Sequence, residues 1–369
     1  MAEPEQNVAA EGCEEVREMP SYLVPRDGLF RKSRKGKMRL VSSPDPLLEA
    51  PIVDTHAHLG MMYDPALTLA RCGYQGMDFI CAMTDPAEDA EVTYDNLDEW
   101  RAQAFVELPH VFEASRAALQ EHRAFMAECG TRMPEGETVD EIMSFRCGCT
   151  ANIPQVRIAC GVHPHNARDY NDAMEERLLN FLADHRSCAV GEVGLDYYYD
   201  LSPRQVQKDV FKRQIEIAQE CGLPLILHMR DAHDDGFEIL EQTGWPKAGV
   251  LLHCCSVGAE EVQRWVDRGC YIAFGGAVTF NKTDDIRASA LVVPENQILF
   301  ETDAPYMAPV PFRGIENAPE FTVYNAEYIA NLRGIQPGED RKVFLTLVHD
   351  NSLALLNREP SFWQVYRDL

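Results

Sequence analysis

Positive charge is scarce in this chain. Its 369 residues carry 34 lysines and arginines against 59 aspartates and glutamates, a formal net charge of -25. Such a balance repels polyanions at long range, which excludes a broad basic footprint for duplex nucleic acid and confines any phosphate recognition to a local site. Long apolar runs are also missing: nothing approaches the roughly 20 apolar residues of a membrane helix, so no membrane partner is expected. Glu3, Glu5, Glu11, Glu14 and Glu15 stand ahead of any apolar run, where a signal peptide would place a basic segment and a hydrophobic core. A soluble, cytoplasmic protein is therefore expected. Cysteine is plentiful at 12, but structural zinc spacing is absent: Cys147-Gly148-Cys149 and Cys254-Cys255 are the only clusters, and neither has it. The scattered remainder, such as Cys72, Cys81, Cys188 and Cys221, reads as free thiols. No glycine-rich nucleotide turn follows the first strand-like run, which counts against a doubly wound open sheet.

What is present is 46% hydrophobic residues, enough for a substantial core, arranged as eight strand-like runs. They are Ile52 to Ala57, Met77 to Met83, Val156 to Val162, Cys188 to Leu195, Leu223 to His228, Val250 to His253, Cys270 to Phe274 and Ile298 to Glu301. Helical periods lie between them. From Pro203 to Cys221, for example, Val206, Val210, Phe211, Gln214, Ile217, Ala218 and Cys221 share one face, and Val257 to Arg268 and Ala326 to Leu332 behave alike. Alternation of this kind predicts an α/β fold, a TIM-type (β/α)8 barrel. Residues 1-50 read as a mobile N-terminal extension, first acidic and then basic through Arg31-Lys32-Ser33-Arg34-Lys35-Gly36-Lys37. Residues 51-357 form the barrel, and 358-369 a C-terminal tail. About seventy residues separate the second and third strands, far beyond an ordinary crossover. We read about 92-150 as an insertion at the barrel rim, either a cover for the site or surface elaboration. Acid is dense at both its junctions, with Asp85, Glu88, Asp89 and Glu91 on one side and Glu135, Glu137, Asp140 and Glu141 on the other.

The first run ends in Asp54-Thr55-His56-Ala57-His58. Alternate side chains of a strand share a face, so Asp54, His56 and His58 point to one side, and two adjacent imidazoles invite a shared cation. Similar residues fall at other strand ends: His163 and His165 after the third run, Glu192 late in the fourth, His228 at the fifth, His253 at the sixth and Asp303 after the eighth. Groups at the carboxyl ends of barrel strands converge in space. With His163 and His165 set aside for substrate, six ligands remain, too many for one catalytic ion that keeps an open position. Two divalent ions about 3.5 to 4 Å apart are the natural solution, with Glu192 midway in strand order as the candidate bridge. Imidazole favours zinc or manganese, and carboxylate favours magnesium. Such a pair lowers the pKa of a bound water and supplies hydroxide for hydrolysis.

At these residues the chain resembles the TatD family of metal-dependent hydrolases, within the amidohydrolase superfamily. Asp54 to Leu59, Gly161-Val162-His163-Pro164-His165, Gly191 to Tyr198, Pro224 to Ala232 and Glu301-Thr302-Asp303-Ala304-Pro305-Tyr306 carry the resemblance, with Arg313-Gly314 and Asn317-x-Pro319 behind them. It implies one metal on His56, His58, Glu192 and Asp303, and another on Glu192, His228 and His253. It further implies phosphodiester hydrolysis, commonly removal of nucleotides from DNA 3′ ends, with His163 and Arg230 near the substrate phosphate. DNA ends or another phosphodiester or ester would be the substrate. Metal-activated water does not by itself choose phosphorus over carbon, so an ester or amide hydrolase, for example an aminoacyl-tRNA deacylase, is the alternative. A non-catalytic barrel scaffold is a third reading, opposed by the presence of every proposed ligand. The chain departs from the family at Ala57, where many relatives have cysteine, and at Cys255 and Val257, where an aromatic and a glycine are usual.

Overall fold

The structure is a computed structural model that describes residues 48-128, 152-310 and 312-367, with the backbone of 30-32 and 38-40. Eight parallel strands pair in sequence order, each with the next: β1 (Ile52–Ala57), β2 (Met77–Thr84), β3 (Gln155–Cys160), β4 (Ser187–Asp196), β5 (Leu225–Arg230), β6 (Val250–Leu252), β7 (Tyr271–Phe274) and β8 (Ile298–Phe300). All eight predicted runs are strands, and helices separate them, as expected for the (β/α)8 class. β1 is buried at every position and β4 at all ten, because one face meets the barrel interior and the other meets helices.

Closure happens beyond the last strand. Asp303 N donates to His56 O at 2.9 Å, His58 N donates to Ala304 O at 2.8 Å, and Ala57 bridges Ala304. Asp54 secures that seam: its buried carboxylate accepts from Thr302 N (3.0 Å), from the Thr302 hydroxyl (2.5 Å) and from His56 N (3.0 Å). Strand alternation put Asp54 with the two histidines, but its oxygens serve the closure. The same segment that shuts the barrel therefore sets Asp303 beside His56 and His58.

Helix α1 (Pro65–Tyr74) starts at Asp64, whose side chain accepts from Leu67 N, with proline at the first helical position. Helix α2 (Ala90–Glu128) makes up the described part of the stretch read as an insertion. It packs against α1, with Tyr74 and Phe112 edge to face at 5.1 Å. It also touches α3 (Asp172–Ala183) through Tyr94 and Phe181, and Tyr94 hydroxyl meets Ser187 Oγ at 2.6 Å. It thus occupies the crossover position of the second βα unit and continues past it. Thr131 to Cys149, with the acidic Glu135 to Glu141, lies outside the described residues.

Helix α4 (Arg204–Cys221) has two buried glutamines on its inner face. Gln214 accepts from Val162 N (2.7 Å) and donates to Val162 O (2.9 Å), while Gln207 does the same for Asp196 N (2.8 Å) and O (3.2 Å). Each amide pegs backbone at a strand end that leads into the site. Left-handed Gly222 stops the helix (φ 66°).

Short elements are described near both ends of the chain. Phe30–Lys32 and Met38–Leu40 pair as an antiparallel ribbon within the stretch read as a mobile extension. Residues read as a tail include the helix Phe362–Tyr366, capped by Ser361, and Gln364 Nε2 donates to Leu182 O, Asp184 O and Ser187 O.

Eight cysteines are free among the described residues, and Cys81 and Cys188 sulfurs lie 3.6 Å apart without a bond. Reductant should leave the melting temperature nearly unchanged. A disulfide is worth about 2 to 4 kcal/mol, so a drop of roughly 5 °C or more would reveal one.

Candidate metal centre

Glu192 occupies the middle of the site, nearly buried at 6% exposure. Its two oxygens face different partners. Oε2 lies 3.3 Å from His56 Nε2 and 3.9 Å from His58 Nε2, on the side where Asp303 Oδ1 stands 3.8 and 3.6 Å from the same two nitrogens. Oε1 lies 2.5 Å from His228 Nδ1, 2.9 Å from His253 Nε2 and 3.8 Å from His163 Nε2. The other five ligand-type residues named from the sequence thus gather around the Glu192 carboxylate.

The backbone makes this convergence possible at Gly194, which pairs with His228 across β4 and β5. A Cβ there would stand 2.0 Å from His228 O, and the residue has φ +146°, so only glycine lets the strands come this close. The approach brings Glu192 and His228 together.

His163 sits nearer the ligand set than a purely substrate-contacting residue would. It groups with Glu192 and His228, their donor atoms all within 4.8 Å, and its ring meets that of His228 at 4.6 Å. Asp85 anchors this loop by accepting from His163 N (2.9 Å) and Asn166 Nδ2 (3.0 Å). Burial pushes the Asp85 carboxyl up to about 6, against those hydrogen bonds. His165 turns away from Glu192, its Nε2 2.9 Å from Asp196 Oδ2. Arg230 lies over Tyr198 and Tyr199, 4.0 and 4.7 Å from the ring centres, and so projects into the cavity on an aromatic support.

Two carboxylates escaped the sequence reading. Buried Asp196 reaches His228 Nε2 at 3.3 Å from behind, leaving Nδ1 toward Glu192, and also accepts from Tyr198 N and Tyr199 N. Glu301, fully buried, stands with His56 and His253 in a third close group. Each acid ends an apolar strand, the same signal that singled out His228 and Asp303.

The electrostatics favour positive charge. Burial opposes ionisation of Glu192, yet the surrounding imidazoles, His253 and His228 foremost, hold its carboxyl well below the usual range. Burial disfavours the charged form of His253, but Glu192 and Glu301 raise it well above an ordinary histidine. His163 goes the other way: burial, then neighbouring His228, holds it well below. Buried His56 has no hydrogen-bond partner on either ring nitrogen, and burying such a polar atom unpaired costs about 1 to 3 kcal/mol. A cation would satisfy it. Nitrogen and carboxylate donors at one centre suit divalent metals such as zinc, manganese or magnesium.

His58, His163, Glu192, His228, His253 and Asp303 line a cavity of about 850 Å³ at the carboxyl ends of the strands. Asp85, Glu88, Asp89 and Glu316 also line it, and Arg230 is the one lysine or arginine among the described lining residues. Among the described residues none of α2 lines it: Asp85, Glu88 and Asp89 come from the loop just before that helix, and Glu316 from the segment after β8.

A parallel barrel with this donor set at its catalytic end is a metal-dependent hydrolase. The chain belongs to the TatD family: the model described as TatD related DNase matches residues 53–350. Among curated relatives, the metal-dependent hydrolase YcfH of Escherichia coli K12 is 41% identical over 204 residues, 54% of this chain and 76% of that one. The metal-dependent hydrolase YabD of Bacillus subtilis is 38% identical over 175 residues, 47% of this chain and 69% of that one. The fold matches that of YjjV, a TatD homolog from E. coli K12, with a TM-score of 0.60 and 22% identity, covering 83% of this chain and 98% of that one. A TatD family hydrolase from Entamoeba histolytica superposes with a TM-score of 0.62 at 14% identity, covering 84% and 99%. No helix among the described residues is long and apolar enough to cross a membrane.

Proposed function

We propose that this protein is a two-metal phosphodiesterase that removes nucleotides from DNA 3′ ends. The observation that carries the reading is the division of Glu192: one oxygen faces His56 and His58, the other faces His228 and His253. In this assignment His56, His58, Glu192 and Asp303 hold one ion, and Glu192, His228 and His253 hold the other. When bound, such ions polarise a phosphoryl oxygen and lower the pKa of water. The chain's own residues do the rest. Asp303, beside His58, orients the attacking water and accepts its proton. Arg230, supported by the rings of Tyr198 and Tyr199, meets the phosphate, and His163 flanks it from the β3 side. Asp196 keeps the rings of His165 and His228 in place.

The acidic wall of Asp85, Glu88, Asp89 and Glu316 sets the form of DNA. A stiff duplex must bring many phosphates past it, whereas a single strand reaches the site end-first. Purified protein should therefore degrade a 3′-ended single strand faster than a blunt duplex at low salt, and the ratio should shrink as salt rises. A parallel assay on an aminoacyl ester tests the alternative chemistry. Turnover of the ester without DNA cleavage would replace the phosphodiesterase reading, and turnover of neither would favour a scaffold.

A further inference from the structure

Glu301 is buried, ionisable and unused by the mechanism above. It follows β8 directly and has no exposed surface. Its backbone is fixed from outside, where Asn325 Nδ2 donates to Glu301 O at 2.8 Å. Its Oε1 accepts from Cys254 N at 2.6 Å. Its Oε2 has no hydrogen-bond partner, and neither does His253 Nδ1, yet the two atoms lie 3.4 Å apart. That is the outer edge of hydrogen-bond range, closed by a small rotation. On the other side of the same ring, His253 Nε2 lies 2.9 Å from Glu192 Oε1. The three groups form a line from Glu301 through the imidazole to the centre of the site.

We infer that Glu301 is the positioning residue for His253, accepting its Nδ1 proton and so keeping the Nε2 lone pair turned toward the metal centre. This rests on the metal reading above. An imidazole that binds a cation through one nitrogen must carry its proton on the other, and a carboxylate behind the ring selects that tautomer and fixes the ring plane. The same contact removes two unpaired buried polar atoms at once.

Glu301→Gln separates positioning from simple support. The amide oxygen keeps the Cys254 N–H, which leaves the NH2 to donate toward His253 Nδ1 and drives the ring proton to Nε2. Nitrogen-15 NMR of the metal-free protein, at a pH where the ring is neutral, should show His253 protonated at Nδ1 in the wild type and at Nε2 in E301Q. Calorimetry with Zn2+ should show affinity at one of the ions reduced roughly 10- to 100-fold. An unchanged tautomer with unchanged Zn2+ affinity would overturn the inference. So would the loss of one Zn2+ per chain with the tautomer unchanged, because Glu301 would then be an ion ligand together with His56 and His253. If E301Q does not fold, the wild-type spectrum alone decides, and a proton on Nε2 there sinks the assignment. A wild type that binds no Zn2+ overturns the metal reading instead, while the tautomer still tests Glu301.

Discussion

Glu192→Gln should lower kcat on the order of 10³-fold or more, about 4 kcal/mol of barrier, with the fold retained. The expectation follows from how the carboxylate is used. Each of its oxygens faces a different set of imidazoles, at 3.3 Å for His56 and 2.5 Å for His228. A neutral amide has one acceptor, and its NH2 would point at nitrogens that also need their lone pairs. It can therefore serve one set of ligands only. Shape is preserved, so the packing of β4 between β3 and β5 should survive and melting should stay cooperative. Metal analysis after dialysis should find fewer ions per chain than in the wild type. Chelator should inactivate the wild type, and added Mn2+ or Zn2+ should restore it without rescuing E192Q. A variant within tenfold of wild-type turnover would remove Glu192 from the bridging role.

How much of this was legible beforehand depends on the kind of information each feature needs. The limits of β1 coincide with the strand-like run Ile52 to Ala57, although Asp54, Thr55 and His56 interrupt its apolar signal. The six ligand-type residues were legible because a barrel gathers strand ends whatever the loops do. Gln214 was visible as a polar residue on an apolar helical face, but its purpose, holding both polar groups of Val162, depends on a strand 52 positions away. Asp196 and Glu301 lay in plain view beside residues that were chosen. An acid after an apolar strand looks the same whether it meets a ring or solvent, and only the tertiary arrangement separates the two. The stretch read as an insertion contains α2, which stands between β2 and β3 as a crossover helix does, and the unusual length of the stretch hid that.

Asp303→Asn should cost about 10² to 10⁴ in kcat while leaving one ion bound, which sets it apart from the loss expected at Glu192. Asp303 has φ +57°, a left-handed conformation that asparagine adopts as readily as aspartate, so the backbone is not strained by the change. Its N–H to His56 O bond and its carbonyl, which accepts from Tyr306 N at 2.8 Å, are main-chain and survive. The barrel seam should therefore stay closed. What disappears is a carboxylate that ionises readily: burial opposes its charge, but the contact with His58 and the charges of His253 and His56 hold it below the usual range. An amide has no comparable affinity for a proton, so the variant can hold water near the site and still fail to activate it. His228 and His253 sit on the far oxygen of Glu192 and do not depend on Asp303, so calorimetry should retain one divalent site close to wild-type strength. The decisive comparison is kcat against substrate affinity. Unchanged KM with a depressed kcat places Asp303 in the chemical step, whereas a raised KM at wild-type kcat would make it a binding residue and pass the proton-accepting role to another group.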